Sequence, residues 1–256
     1  MRSVTAIQTI ALTAALTLGS WVSAQASCNG NCAAWEAVEE YNGTNPDLPA
    51  TITEGQKFEI AVAKWGNSWK TDFRWTDDLA WERDFKTPGL GGTDTVWADD
   101  VDLMLFAGHG NQNGVFFGVN QDDLTIRFDE ALLGNRDLEW IILDACNVLQ
   151  DNAGKWDRWG WPVFKGLHYV LSYSTTTFDV DSRGEDFMKY AGKYDWRVKD
   201  AWVKATILSE NGTTAAYMRA DNATSNTYDD HLWSHGFVSS DPDNPTLLAY
   251  ASWSTD

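Results

Sequence analysis

Two short segments bring together a nucleophile, a proton carrier and unobstructed backbone N–H groups. They are Gly108-His109-Gly110 and Asp144-Ala145-Cys146, with the histidine and the cysteine 37 residues apart. Each follows an apolar run, residues 101–107 and 138–143. A cysteine nucleophile needs its thiolate and a nearby proton carrier. Histidine can return that proton to a leaving amine. An oxyanion hole needs N–H groups aimed at the developing charge. Gly110 has no side chain to cover its N–H, and Cys146 brings its own. His109 and Cys146 are therefore the candidate catalytic pair, and the N–H groups of Gly110 and Cys146 the candidate oxyanion hole. A depressed thiol pKa at Cys146 would mark an activated nucleophile.

These turns need strands to hold them. Residues 101–107, 138–143 and 166–173 are apolar and bounded by turn residues, so they read as buried strands. Residues 58–65 alternate and read as a first strand. Residues 67–85 fit a helix, residues 115–119 a short strand, and residues 128–136 a short helix with Asp129 as its N-cap. Residues 184–209 hold one or two helices, and residues 232–239 and 246–253 read as late strands. Strands alternating with helical segments predict an α/β domain with a largely parallel central sheet. Ligands in such sheets sit at the carboxyl ends of the strands. That places His109 and Cys146 on one edge if their strands are neighbours.

The domain is bounded by its first 57 residues. Arg2 is the only charge before residue 36, residues 7–22 are mostly apolar or small, and Ala24-Gln25-Ala26 fits a signal-peptidase site. Residues 1–26 read as a secretory signal peptide, with an uncleaved anchor and a lipid anchor at Cys28 as the alternatives. The expected location is therefore secreted, extracellular or periplasmic. Residues 27–57 read as an irregular N-terminal arm and residues 58–256 as a single domain.

Three cysteines are present, Cys28, Cys32 and Cys146. In an oxidising compartment Cys28 and Cys32 are placed to close a small disulfide loop, leaving Cys146 as a free thiol. Its bland reading is a buried small apolar residue. Asn42, Asn211 and Asn222 stand in N-glycosylation motifs, which matter only in a eukaryotic host.

Composition excludes several classes. The net charge is −18, with 19 basic against 37 acidic residues. Phosphate binding needs clustered Lys and Arg, so neither nucleic acid nor an anionic membrane is an expected partner. No stretch after the leader is long enough to span a membrane. The 15 tryptophans read as packing, or as a stacking surface for peptides or sugars.

Other candidates have bland counterparts. Asp144 lines a pocket or caps a turn. Trp156, with Trp159 and Trp161, walls a cleft or packs on the sheet. His168 reads as structural. His231 and His235 near Asp229 and Asp230 lack diagnostic metal spacing, so no metal site is assigned. Residues 178–186 contain part of a calcium loop, but Arg183 occupies a ligand position and Tyr190 replaces the final Glu. No cofactor is expected, with calcium kept as an alternative.

The two turn segments, Phe106-Ala107-Gly108-His109-Gly110 and Ile142-Leu143-Asp144-Ala145-Cys146, resemble the signatures of the caspase-like cysteine peptidases. The chain is also similar to exported bacterial caspase-like proteins. The resemblance covers about residues 58–173. It implies a caspase-like three-layer sandwich with helices on both faces of the sheet, His109 as general acid/base and Cys146 as nucleophile. Asn147-Val148-Leu149 departs from the Ser-Gly that follows the cysteine in several members. The resemblance also implies a pocket for the residue before the cut. The acidic chain points to a basic residue there, with Asp179 and Asp181 as candidate pocket acids. The expected function is a secreted cysteine peptidase acting on peptide or protein substrates. The alternative is an inactive caspase-like binding module with an aromatic peptide or glycan surface.

Overall fold

The structure, a computed structural model, describes residues 28–119 and 123–256. The signal-peptide reading falls on residues outside the described ones. The described residues open with strand β1 (Cys32–Ala37), helix α1 (Thr51–Trp65) and strand β2 (Lys70–Thr76). Strand β3 (Leu103–Ala107) leads into the short strands β4 (Gly110–Asn111), β5 (Gly114–Phe116) and β6 (Thr125–Arg127). Strands β7 (Trp140–Asp144) and β8 (Tyr169–Tyr173) follow. Helix α2 (Arg183–Met188) continues as a π-helical turn (Lys189–Lys193), then come helix α3 (Val198–Ser209) and strands β9 (Thr214–Asp221) and β10 (Leu247–Ser254).

Seven strands form one sheet in the order β10-β9-β8-β7-β3-β1-β2, and β4, β5 and β6 form a second, small one. Strands β2, β1, β3, β7 and β8 pair in parallel, while β9 runs antiparallel to both β8 and β10. The fold is thus mixed α/β with a largely parallel sheet. Every residue of β1, β3, β7 and β8 is buried. Strands covered on both faces need continuous apolar sequence, and the three readable ones have it.

Alternate side chains feed two cores. Leu103, Leu105, Trp140, Ile142 and Leu171 pack with Phe58 and Val62 of α1, Phe187 of α2 and Trp202 of α3. Met104, Phe106, Ile141, Leu143 and Val170 pack with Phe85, Phe117, Leu133 and Trp159. The three α-helices among the described residues therefore lie on one face. The other face is covered by 3₁₀ turns, loops and the small sheet, which corrects the expected helices on both faces.

Other expectations are corrected too. Residues 58–65 belong to α1, not to a strand. Phe58, Ala61 and Val62 are buried while Ile60 is exposed, which is helical spacing. Residues 27–57 are not an irregular arm, because β1 lies inside the sheet. The helix expected over 67–85 is interrupted by Asn67, Ser68 and Asp77, all at positive φ, and β2 runs between them. Residues 128–136 are turns: Leu133 bridges to Phe164, and Asp129 pairs with Arg127 instead of capping a helix. Gly134 has φ +82, and a Cβ there would sit 1.9 Å from the Leu167 nitrogen. Residues 232–239 form a closed loop, with the His231 N–H donating to the Phe237 carbonyl at 2.8 Å. Strand β9 had no counterpart in the sequence reading.

Candidate active site

Strands β3 and β7 pair with Ala107 opposite Asp144. One residue further, the Gly108 N–H donates to the Asp144 carbonyl at 3.1 Å. His109 and Cys146 are each two positions beyond that last pair, so both emerge from the same edge. They line one cleft with Leu48, Thr51, Glu54, Asp179 and other residues. The chain order reverses beside it: β2 lies on one side of β1, while β3, β7 and β8 follow on the other. This is the switch point at which open α/β sheets bind ligands.

The cysteine turn is stitched to the loop after β8. The Asn147 N–H donates to the Thr175 carbonyl at 2.9 Å, and the Leu149 N–H to the Tyr173 carbonyl at 3.0 Å. Asn147 has φ 58, a left-handed conformation that asparagine tolerates better than most residues. The Cys146 Sγ accepts from the Thr177 N–H at 3.4 Å and donates to the Thr177 carbonyl at 3.6 Å. Burial pushes its pKa above the ordinary thiol value, the Thr177 N–H opposes the rise, and the Glu210 charge adds to it. The thiol at rest is therefore protonated at neutral pH, contrary to the mark of an activated nucleophile.

His109 is fixed from three directions. Its N–H donates to the Tyr41 hydroxyl at 2.7 Å, its ring packs 4.7 Å from that of Tyr41, and Nε2 lies 2.8 Å from the Pro46 carbonyl. A carbonyl only accepts, so Nε2 carries a proton, and in the neutral ring Nδ1 is the nitrogen with the lone pair. Gly110 pairs with Val115 in the β4–β5 hairpin. The Phe116 N–H donates to the His109 carbonyl at 2.9 Å, which makes Gly110–Val115 a non-hydrogen-bonded pair. The Gly110 N–H thus points out of the ladder. A Cβ on Gly110 would meet the Cβ of Ala145 at 2.9 Å, so the two turns are in contact.

A buried charge cluster underlies the cleft. The Arg183 guanidinium pairs with Asp144, donates to the Phe178 carbonyl and lies 3.5 Å from Glu210. It also sits 5.0 Å from the centre of the Tyr173 ring. Glu210 accepts from the Thr177 hydroxyl at 2.7 Å and the Phe178 N–H at 3.1 Å. Glu54 accepts from the Gly184 N–H at 3.2 Å. Burial pushes Glu54 up to about 7, with Arg183 opposing the rise.

The sequence matches a domain of unknown function, DUF6345, over residues 35–255. The chain belongs to the DUF6345 family. No curated protein matches it. The DUF6345 match spans both site turns and names no caspase-like family, so that resemblance rests on the turns themselves.

The remaining candidates divide. In this DUF6345 domain Asp144 lines the cleft but is engaged by Arg183. Asp179 also lines it, and Oδ2 accepts from the Ala50 N–H at 3.0 Å. Burial raises the Asp179 pKa, with the Ala50 N–H and His109 opposing. Asp181 is withdrawn as a pocket acid, because it pairs with Lys57 at 2.8 Å outside the cleft. Trp156 is withdrawn as a cleft wall: it meets Tyr250 edge-on at 6.4 Å, with Lys155 over its ring. Trp159 is core and Trp161 is surface.

Cys28 and Cys32 form a disulfide and Cys146 is free. His168 is buried between Asp230 at 2.6 Å and Asp241 at 3.3 Å. His235 pairs with Asp195 at 2.8 Å. Among the described residues no group of three or more His, Cys, Asp or Glu side chains converges on a metal position. No described helix is long and apolar enough to cross a membrane.

Sequence reasoning missed Tyr41, Pro46, Glu54, Thr177 and Glu210, and took Arg183 only as a misfit in a calcium loop. None of these carries a local motif. They are brought together by β1, the start of α1, the loop after β8 and the end of α3.

Proposed function

We propose that this DUF6345 domain is a secreted cysteine hydrolase of the caspase-like type, acting on peptides or proteins. One observation carries the reading: the His109 and Cys146 turns are tied at one sheet edge and open on one cleft. The resting thiol is neutral, so attack is coupled to proton removal. The Cys146 proton passes to Nδ1 of His109 as Sγ bonds to the substrate carbonyl carbon. The oxyanion takes the N–H groups of Gly110 and Cys146. The C–N bond then breaks, His109 gives its proton to the amine, and water hydrolyses the thioester.

The cleft acids favour a basic residue before the cut. Glu54, Asp144 and Asp179 line it together with a single cation, Arg183. Preferential cleavage of Asp-containing peptides would overturn this specificity.

The raised thiol pKa favours a second reading, an inactive domain that binds peptide in the same cleft. Peptidyl chloromethyl ketones separate the two. Probes ending in Arg or Lys are expected to add their peptidyl mass to Cys146 in the wild type and not in His109→Ala. Absence of labelling by any such probe, while iodoacetamide modifies the unfolded chain, would overturn the hydrolase reading.

A further inference from the structure

A second cavity lies on the face of the sheet away from the α-helices. It has a volume of about 200 Å³ and is lined by Trp75, Leu79, Trp81, Asp84 and Trp97. Trp75 and Trp97 meet edge to face, 5.4 Å apart at 78°, and Phe73 packs against both, which fixes the two rings at an angle. The Trp81 indole N–H donates to the Asp78 carbonyl at 2.7 Å, which fixes the third ring. One acid, Asp84, lines the cavity; its Oδ1 accepts from the Thr93 hydroxyl at 3.2 Å, and it carries its full charge only above about pH 7. Neighbouring Glu36 is fully buried, and neither of its oxygens has a hydrogen-bond partner of normal geometry. Burial pushes Asp84 up to about 7, with the Thr93 hydroxyl and Arg83 opposing the rise and the Glu82 charge adding to it.

The lining selects a ligand class. A sugar would leave most of its hydroxyls facing indole carbon without partners, at a desolvation cost. An anion would meet Asp84. A primary ammonium would bury N–H donors with one acceptor to take them. A quaternary ammonium has positive charge and no N–H to satisfy, and it is attracted by the aromatic rings that line the cavity and by a carboxylate. We propose that this cavity binds a quaternary ammonium group of the choline type. The site is separate from the Cys146 cleft and does not depend on the hydrolase reading.

The test is calorimetric titration of the folded chain with choline, with the neutral isostere 3,3-dimethylbutan-1-ol and with methyl glucoside. Shifts of the tryptophan indole N–H resonances report the location. Choline is expected to saturate and to bind at least about tenfold tighter than the alcohol. Asp84→Asn and Trp81→Leu are each expected to weaken it by about tenfold, while the distant Trp161→Leu leaves it unchanged. Asp84→Asn removes a buried charge and keeps the shape, so loss of binding there does not reflect misfolding. Equal affinity for the alcohol, saturation by the glucoside instead, or no saturable choline binding would each overturn the proposal.

Discussion

Replacing Arg183 by methionine tests the charge cluster under the cleft. The guanidinium is buried and pairs with Asp144, with Glu210 at 3.5 Å. Methionine keeps much of the stem volume and removes the charge. Removing one partner of a buried pair costs about 3–5 kcal/mol, because the other is left uncompensated. That is a large part of the roughly 5–15 kcal/mol that holds a domain folded. The cost has a defined pH dependence. Glu54 already titrates at about 7 with Arg183 as the opposing charge, so without it the folded-state pKa rises further. An acid whose folded pKa exceeds its unfolded value destabilises at high pH, and the penalty disappears as pH falls through the folded pKa. Urea unfolding of both proteins from pH 8 to pH 5 is the assay. The variant deficit is expected to be about 3–5 kcal/mol at pH 8, to shrink as pH falls to about 7, and to level off below that, where Glu54 is protonated in both folded proteins. A deficit below about 1 kcal/mol at pH 8, or one that does not change with pH, would refute the reasoning. The Phe178 carbonyl also loses its donor, so the loop that covers Cys146 loosens and iodoacetamide labelling speeds up.

Three further outcomes are expected. Asp84, Asp94 and Asp102 titrate at about 7 and Asp99 at about 8, all raised by burial. The folded chain then holds more protons than the unfolded one between about pH 4 and 8, and each extra proton is worth about 1.4 kcal/mol per pH unit. Thermal unfolding should therefore show Tm falling from pH 5 to pH 8, and a flat or rising profile would contradict the burial of these acids. Burial alone would lower the His168 pKa, but Asp230 and Asp241 outweigh it and raise it. The His168 contribution is then complete below pH about 6.5 and fades as pH rises through the folded value. His168→Gln should cost about 3 kcal/mol at pH 6 and less at pH 9, and an equal cost at both would exclude a charged imidazole. Gly110→Ala places a methyl 2.9 Å from Ala145 and should cost about 1–3 kcal/mol of stability. It should also abolish peptidyl labelling of Cys146; normal labelling would show that contact between the turns is dispensable.

The two turns were legible because each follows an uninterrupted apolar strand, and such strands announce where a parallel sheet ends. Neighbouring strands then place their terminal residues side by side, and pairing of Ala107 with Asp144 does so here. The rest was hidden for identifiable reasons. Strand β1 reads Cys-Ala-Ala-Trp-Glu-Ala, where alanine has little β preference and Glu36 looks like surface. Helix α1 contains Phe-Glu-Ile-Ala-Val-Ala, which alternates like a strand. The helical signal was the spacing of Phe58, Ala61 and Val62, and reading from residue 51 would have exposed it. Arg183 gave no signal, since only tertiary packing puts one arginine among acids far apart in sequence.

That packing bears on the chemistry. Burial, with a smaller contribution from the Glu210 charge, holds the Cys146 thiol protonated, and Arg183, the guanidinium that lines the cleft among the described residues, is engaged with Asp144. In the proposed enzyme, positive charge entering the cleft would ease transfer of the Cys146 proton to His109, because an added cation near Sγ favours the ionised form. A basic substrate side chain would supply it, meeting Glu54 and Asp179 at the same time. Substrate choice and nucleophile activation would then have one electrostatic origin. The cleft acids would recruit the charge that burial of the thiol makes useful.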